Sequence, residues 1–219
     1  LGMKVVMDAV FNHTGREFFA FADILEKGEK SKYRDWYFID DFPLRNEPGQ
    51  LPNFKCFAYY GGMPKLNLKN PEVEKFVTDV ACYWIEECDI DGWRMDVGDE
   101  ISHFFWKRFR RAVKAVKKDA LIVGEIWHYA GDFLEGDEWD TVMNYDAFME
   151  PLTWFLTGME KHSDECRDDL YGNSDAFIGA MKTHMRALHM SALYTSMNEL
   201  SNHDHSRFLT RTNRRVGRI

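Results

Sequence analysis

The run Asp91-Gly92-Trp93-Arg94-Met95-Asp96-Val97-Gly98-Asp99-Glu100 sets an arginine two residues before an aspartate, where an apolar segment gives way to polar residues. Side chains of an extended strand alternate between faces, so Arg94 and Asp96 are expected to point the same way. A guanidinium beside a carboxylate favours the ionised form. A held, ionised carboxylate at a strand end can act as a nucleophile. An isolated Arg-x-Asp is more often a structural ion pair, but three further stretches weigh against that reading. They are Asp8-Ala9-Val10-Phe11-Asn12-His13, Gly124-Glu125-Ile126-Trp127-His128 and Ser201-Asn202-His203-Asp204-His205-Ser206-Arg207-Phe208. Each carries at least one carboxylate or imidazole at the exit of an expected strand.

The elements that must position these groups follow from hydrophobic pattern. Lys4 to Val10 is short, β-branched and largely apolar, as expected of a strand buried on both faces. Residues 16–68 are irregular and rich in aromatics, and so long a stretch without regular structure signals an inserted functional subdomain; about half of its aromatics are expected to form that insertion's own core. Asn70-Pro71 reads as an N-cap followed by a first helical residue. The helix it starts carries Val73, Phe76, Val77, Val80, Trp84 and Ile85 on one face as far as Cys88. A strand over Ile90 to Met95, a helix over Ser102 to Lys117 and a strand over Ala120 to Glu125 come next. A weaker strand at Asp140 to Tyr145, a helix over Ala176 to Leu188 and a segment from Leu193 to Met197 lead to the polar cluster at 198–207. Alternating strands and helices imply an α/β fold with parallel pairing and crossover helices. Polar groups gathered at strand C-terminal ends suit either a barrel face or the crevice of an open sheet.

In order and residue type the four stretches resemble the signature regions of the α-amylase family of glycoside hydrolases (family 13). A fifth, Met63-Pro64-Lys65-Leu66-Asn67-Leu68, together with Glu125-Ile126-Trp127-His128, is similar to the neopullulanase, cyclomaltodextrinase and maltogenic amylase group within it. The resemblance implies an incomplete (β/α)8 TIM barrel, running from its third strand to just past its seventh. Residues 1–13 would be the third strand and its exit loop, 14–68 the inserted B domain, and 69–219 the barrel from its third helix onward. The chain opens inside a strand pattern and stops inside an element, so it reads as a piece of a longer protein. The isolated piece, with unpaired strand edges, is expected to aggregate or be inactive.

Carried over residue by residue, the resemblance implies Asp96 as nucleophile, Glu125 as general acid/base and Asp204 as the third, transition-state-stabilising carboxylate. Arg94 would hold Asp96, Trp127 would help keep Glu125 protonated, and His13 and His203 would hydrogen-bond the sugar in the cleavage subsite. Trp127 and His128 would shape the acceptor side, although a packing role fits Trp127 as well as a sugar platform does. Asp8 would be structural and help to place the arginine. Asn12 is a weak calcium candidate; the remainder of a six- to eight-oxygen shell is not identifiable, so no metal is assigned and no cofactor is required. The implied activity is retaining cleavage of α-1,4-glucosidic bonds in maltooligosaccharides, cyclomaltodextrins or related α-glucans, with transglycosylation when a sugar replaces water. An α-1,6-cleaving or glucan-transferring relative is the alternative, and a non-catalytic member is disfavoured because all three carboxylates are present. The wording of residues 97–100 and 203–207 departs from the commonest family pattern without touching the catalytic positions.

Composition narrows the remaining classes. The 219 residues carry a formal charge of -8, which argues against a nucleic-acid backbone as partner. Arg207, Arg211, Arg214, Arg215 and Arg218 cluster near the C-terminus and read as a solvated helix start. The four cysteines, Cys56, Cys82, Cys88 and Cys166, lack metal-like spacing and are read as reduced thiols, which fits a cytoplasmic protein. No apolar run reaches transmembrane length, so no membrane partner is expected. Relatives in the resembled group often dimerise through an N-terminal domain; that region lies outside this chain, and the sequence leaves a homodimer of the full-length protein open.

Overall fold

Val6–Ala9 (β1) pairs in parallel with Gly92–Met95 (β2), and the register sets Asp8 beside Arg94 and Ala9 beside Met95. The ladder continues past the strand ends, where the Asp96 N–H donates to the Ala9 carbonyl at 3.1 Å. This computed structural model describes residues 2–47, 49–162 and 164–216, with side chains as far as Thr212. The chain divides into two units, Leu1–Ile122 and Val123–Ile219. The strands follow the order β1-β2-β3-β4, where β3 is Leu121–Gly124 and β4 is Thr141–Val142. This partial parallel sheet is consistent with an incomplete barrel.

In unit 1, every residue of β2 is buried. A Cβ on Gly92 would collide with the Leu121 carbonyl oxygen, so the close approach of these backbones requires glycine. The expected double burial of β1 does not hold, because Val5 and Val6 are about half exposed. Among the described residues β1 is an edge strand paired only with β2, and one side of it is therefore uncovered. Phe19–Lys27 (α1) is a helix inside the stretch expected to be irregular. Phe21, Trp36, Tyr37 and Phe54 are buried there, whereas Tyr59 and Tyr60 are exposed.

Pro71–Cys88 (α2) starts where the sequence expects it. The Asn70 side chain accepts the Glu72 N–H at 2.9 Å, Pro71 fills the first turn, and Val73, Val77, Ala81 and Ile85 face inward. Such a cap contributes about 1 kcal/mol. Trp84, expected on the buried face, is more than a third exposed. His103–Val116 (α3) is capped by Ser102, which accepts the Phe105 N–H at 3.4 Å. Trp106, buried on α3, donates its indole N–H to the Gly98 carbonyl at 2.9 Å. That bond ties the loop after Asp96 to the helix.

In unit 2, β3 and β4 pair in parallel through Val123–Thr141 and Gly124–Val142. Gly124 is tight because a Cβ there would enter the Trp139 ring. A single parallel bridge joins Met143 to Met197, with the Met197 N–H donating to the Val142 carbonyl at 3.1 Å. A π-helical turn over Tyr145–Met149 runs into Glu150–Thr157 (α4), and Ser174–Arg186 (α5) is capped by the Asn173 side chain. Met190–Thr195 (α6) and Phe208–Val216 (α7) complete the unit. The C-terminal basic cluster is not uniformly solvated. Arg211 is fully buried and donates through its two terminal nitrogens to the carbonyls of Lys161 and Leu200, while its Nε has no hydrogen-bond partner. The side chains of Arg214 and Arg215, and Arg218 altogether, lie outside the described residues.

Candidate active site

The β1–β2 register builds the carboxylate site of unit 1. Arg94, 7% exposed, donates through one guanidinium nitrogen to Asp96 Oδ1 at 2.6 Å and Asp8 Oδ1 at 2.8 Å. Asp96 and Arg94 thus share a face, as strand alternation requires, and Asp8 lies beside Arg94 as expected. Val97 follows Asp96 with φ 48° and ψ 44°. A β-branched side chain is strained in that left-handed region, at about 1–3 kcal/mol. The strain turns the chain sharply behind the carboxylate, and Trp106 holds the turn in place. Val97→Gly is expected to leave the denaturation midpoint nearly unchanged, because relief of strain offsets the looser unfolded chain to within about 1 kcal/mol. Turnover of the same variant is expected to fall about tenfold as Asp96 loosens.

His13 and Asn12 are buried at the exit of β1. The His13 ring stacks on Phe57 at 5.0 Å, and burial holds its pKa below the usual histidine value against the opposing fields of Asp96 and Glu100. His13 also forms a backbone bridge with Lys65, which brings the 63–68 stretch to this site. The Asn12 amide nitrogen donates to Glu100 Oε2 at 3.3 Å, while its Oδ1 is buried without a hydrogen-bond partner. An orphaned oxygen could serve a cation, but Lys65 Nζ already sits 2.6 Å from Glu100 Oε2 and 3.2 Å from the Glu100 carbonyl. A dication placed there would meet that ammonium, so this donor set does not fit calcium. Among the described residues, no group of three or more His, Cys, Asp or Glu is arranged to hold a metal ion.

Unit 2 carries Glu125, Trp127, His128, His203 and Asp204. Glu125, at the end of β3, is 3% exposed and accepts from the Tyr145 hydroxyl at 3.4 Å. Asp204 is exposed, with His203 Nε2 3.3 Å from its Oδ2. Trp127 stacks on His162 at 5.3 Å, contacts His205 at 5.0 Å and lies under Lys161 Nζ at 4.9 Å. His128 is exposed and lines a cavity with Asp146 and His184. In Asp146 burial, opposed by His184, raises the carboxyl pKa.

His205 is the buried titratable group of this cluster. Burial first, then the nearby His162, Lys161 and Arg211, push its pKa down to about 4. Nδ1 lies 2.6 Å from Asn202 Oδ1, and Nε2 has no hydrogen-bond partner. A lone amide oxygen can only accept, so Nδ1 carries the proton of a neutral ring. Because an unfolded histidine titrates near 6.5, the unfolded chain binds more protons between pH 6.5 and 4. Stability therefore falls as pH is lowered through that window, by up to about 3 kcal/mol at its acid end. His13 adds to the fall in the same direction. His205→Gln should flatten the decline of melting temperature between pH 6.5 and 4.5, and an unchanged slope would exclude His205 as its source.

The structure thus brings Asp8, Arg94 and Asp96 together in unit 1, with His13 and Asn12 at the neighbouring strand exit. In unit 2 it pairs His203 with Asp204, sets Trp127 against aromatic partners and leaves His128 in solvent. Sequence reasoning did not single out Lys65, Glu100, Tyr145, His162, Asn202 or His205. Four of these lie inside stretches already marked as chemical, so a polar residue next to a marked one was the available signal. His162 had none, and Tyr145 only its place at the end of a weak strand.

The family model Alpha amylase, catalytic domain matches residues 1–218. A cyclomaltodextrinase from Thermoanaerobacter pseudethanolicus is 44% identical over 220 residues, covering 100% of this chain and 36% of that protein. Neopullulanase 2 from Thermoactinomyces vulgaris is 45% identical over 211 residues, covering 95% and 33%. The solved cyclic alpha-maltosyl-(1→6)-maltose hydrolase from Arthrobacter globiformis superposes with a TM-score of 0.85 at 35% identity, covering 96% of this chain and 44% of that one. The chain spans about a third of the length of the curated relatives it matches.

Proposed function

This chain belongs to the α-amylase family, within its catalytic domain, and we propose that it forms the centre of a retaining α-glucan hydrolase acting on α-1,4 bonds of maltooligosaccharides and cyclomaltodextrins. The observation that carries the reading is the strand-end ion pair of Arg94 with Asp96 at 2.6 Å. It fixes one carboxylate oxygen and leaves the other for attack on an anomeric carbon. Buried Glu125 protonates the departing glycosidic oxygen while Asp96 Oδ forms the bond to the anomeric carbon. Water, deprotonated by Glu125, then cleaves the glycosyl ester and frees Asp96; a sugar hydroxyl in place of water gives transglycosylation. Asp204 with His203, and His13 at the β1 exit, hold the sugar hydroxyls. Trp127 and His128 border the acceptor side. Residues 14–68 form the inserted B domain, with residues 1–13 and 69–219 on the barrel.

The α-1,4 and cyclic-dextrin preference is drawn from two relatives at 44% and 45% identity, named cyclomaltodextrinase and neopullulanase. A cytoplasmic setting and a dimeric full-length protein go with this reading; fractionation of cells and sedimentation test them. Among the described residues no helix is long and apolar enough to cross a membrane. Proton NMR of the anomeric signals during cyclomaltodextrin digestion by the full-length protein tests the mechanism. First release of α-anomeric ends is expected, and first release of β-anomeric ends would mean inversion. Linear maltooligosaccharides cut while the ring stays intact would keep the mechanism and remove the cyclic preference.

A further inference from the structure

Asn202 bonds the Asp204 backbone through one end of its amide and the Tyr145 hydroxyl through the other. Its Oδ1 accepts the Asp204 backbone N–H at 2.9 Å and faces His205 Nδ1 at 2.6 Å. A backbone N–H can only donate, so the atom facing it is the amide oxygen and the NH2 group points the other way. That NH2 group donates to the Tyr145 hydroxyl at 2.7 Å and to Glu199 Oε1 at 3.0 Å. With a lone pair of the hydroxyl taken, the Tyr145 proton is left for acceptors around it, among them Glu125 Oε1 at 3.4 Å and Met143 Sδ at 3.5 Å. A carboxylate is a far stronger acceptor than a thioether. The π-helical turn that begins at Tyr145 aims the ring, and Tyr145 is almost fully buried between Trp127 and His205. His205, neutral with its proton on Nδ1, adds a donor that fixes the amide orientation.

We infer that Asn202 is a positioning residue that acts on Glu125 through the Tyr145 hydroxyl, so that one amide sets both the aim of the proton donor and the backbone beneath Asp204. The inference rests on the proposed role of Glu125 as acid/base. Its chemistry is specific. When Glu125 carries the proton, the Tyr145 hydroxyl steadies the carboxyl oxygen that is not donating and leaves the acidic hydrogen free for the leaving group. When Glu125 is ionised and takes the proton of water, the same hydroxyl stabilises the charge. No bond to carbon involves Tyr145 or Asn202.

The test uses the full-length protein and two substrates that differ in their need for an acid. A maltooligosaccharide departs with a sugar oxygen that must be protonated; α-maltosyl fluoride departs with fluoride, which needs no proton. Because kcat/KM reports the first irreversible step, it isolates bond cleavage from the later attack of water. Glu125→Gln provides the reference: a large loss on maltooligosaccharide and little on the fluoride. If Glu125→Gln does not separate the two substrates, the acid/base assignment fails and the relay through Tyr145 falls with it. Given that separation, Tyr145→Phe removes the hydroxyl and keeps the ring. Asn202→Asp keeps the oxygen that accepts from Asp204 and His205 but loses the NH2 donor, so the Tyr145 hydroxyl turns toward the new carboxylate. Both variants are expected to lose about 10- to 100-fold in kcat/KM on maltooligosaccharide and less than about threefold on maltosyl fluoride. The loss should fall on kcat rather than KM, and the upper limb of the maltooligosaccharide pH profile should move to higher pH in Tyr145→Phe. Equal losses on both substrates would reduce Asn202 and Tyr145 to structural roles, and no loss on either would remove the relay. Activity on the fluoride also reports that each variant is folded.

Discussion

Asp96→Asn in the full-length protein is expected to lower turnover of maltooligosaccharides by about 10^4-fold or more, with the melting temperature barely changed. The amide keeps the shape of the side chain and can still accept from Arg94, so the 2.6 Å contact survives as a weaker hydrogen bond. What disappears is the nucleophile, and no intermediate ester can form. Losses of that order accompany removal of a nucleophile and correspond to about 5 kcal/mol or more of transition-state stabilisation. Steady-state rates on a maltooligosaccharide, beside a thermal melt, check both halves. A variant with a tenth of the parent rate would show that Asp96 is an ordinary ion-pair partner at a strand end.

The second large effect belongs to Arg94→Met. The substitution keeps much of the apolar stem but removes the charge between Asp8 and Asp96. Two carboxylates then face each other from adjacent strands with no compensating cation from this position. Breaking a buried pair by deleting one partner costs about 3–5 kcal/mol. The cost here should be smaller, about 2 kcal/mol, because the Asp8 side chain is 53% exposed and water screens it. Turnover should fall about 10^2-fold, since Asp96 loses the contact that aims it. Arg94→Lys should recover charge but not full activity, because an ammonium on a flexible stem is strongly hydrated and lacks the fixed aim of the planar guanidinium. Denaturant midpoints and kcat for both variants separate the stability effect from the catalytic one.

What could be read before folding followed from short-range rules. Asn70-Pro71 and Ser102 marked the starts of α2 and α3, because capping depends on a residue and its next three neighbours. Arg94 and Asp96 shared a face for the equally local reason of strand alternation. Features set by distant partners were not legible. The exposure of β1 depends on what covers its free side, and the burial of Arg211 depends on carbonyls at Lys161 and Leu200. Lys65 meets Glu100 across 35 residues, and Asn202 meets Tyr145 across 57. No periodicity encodes such pairs. The π-helical turn at Tyr145 is a further case, since an extra residue per turn leaves no mark in the apolar pattern.

The central claim is that Asp96 forms a covalent bond to the sugar, and trapping that bond tests it most directly. The full-length protein would be incubated with a 5-fluoro-α-glycosyl fluoride, which forms the ester quickly and releases it slowly, then digested and mapped by mass spectrometry. The account predicts one glycosyl label, on the peptide carrying Trp93 to Asp99, with fragmentation placing it on Asp96. A label on any other carboxylate, with Asp96 unmodified, would contradict it.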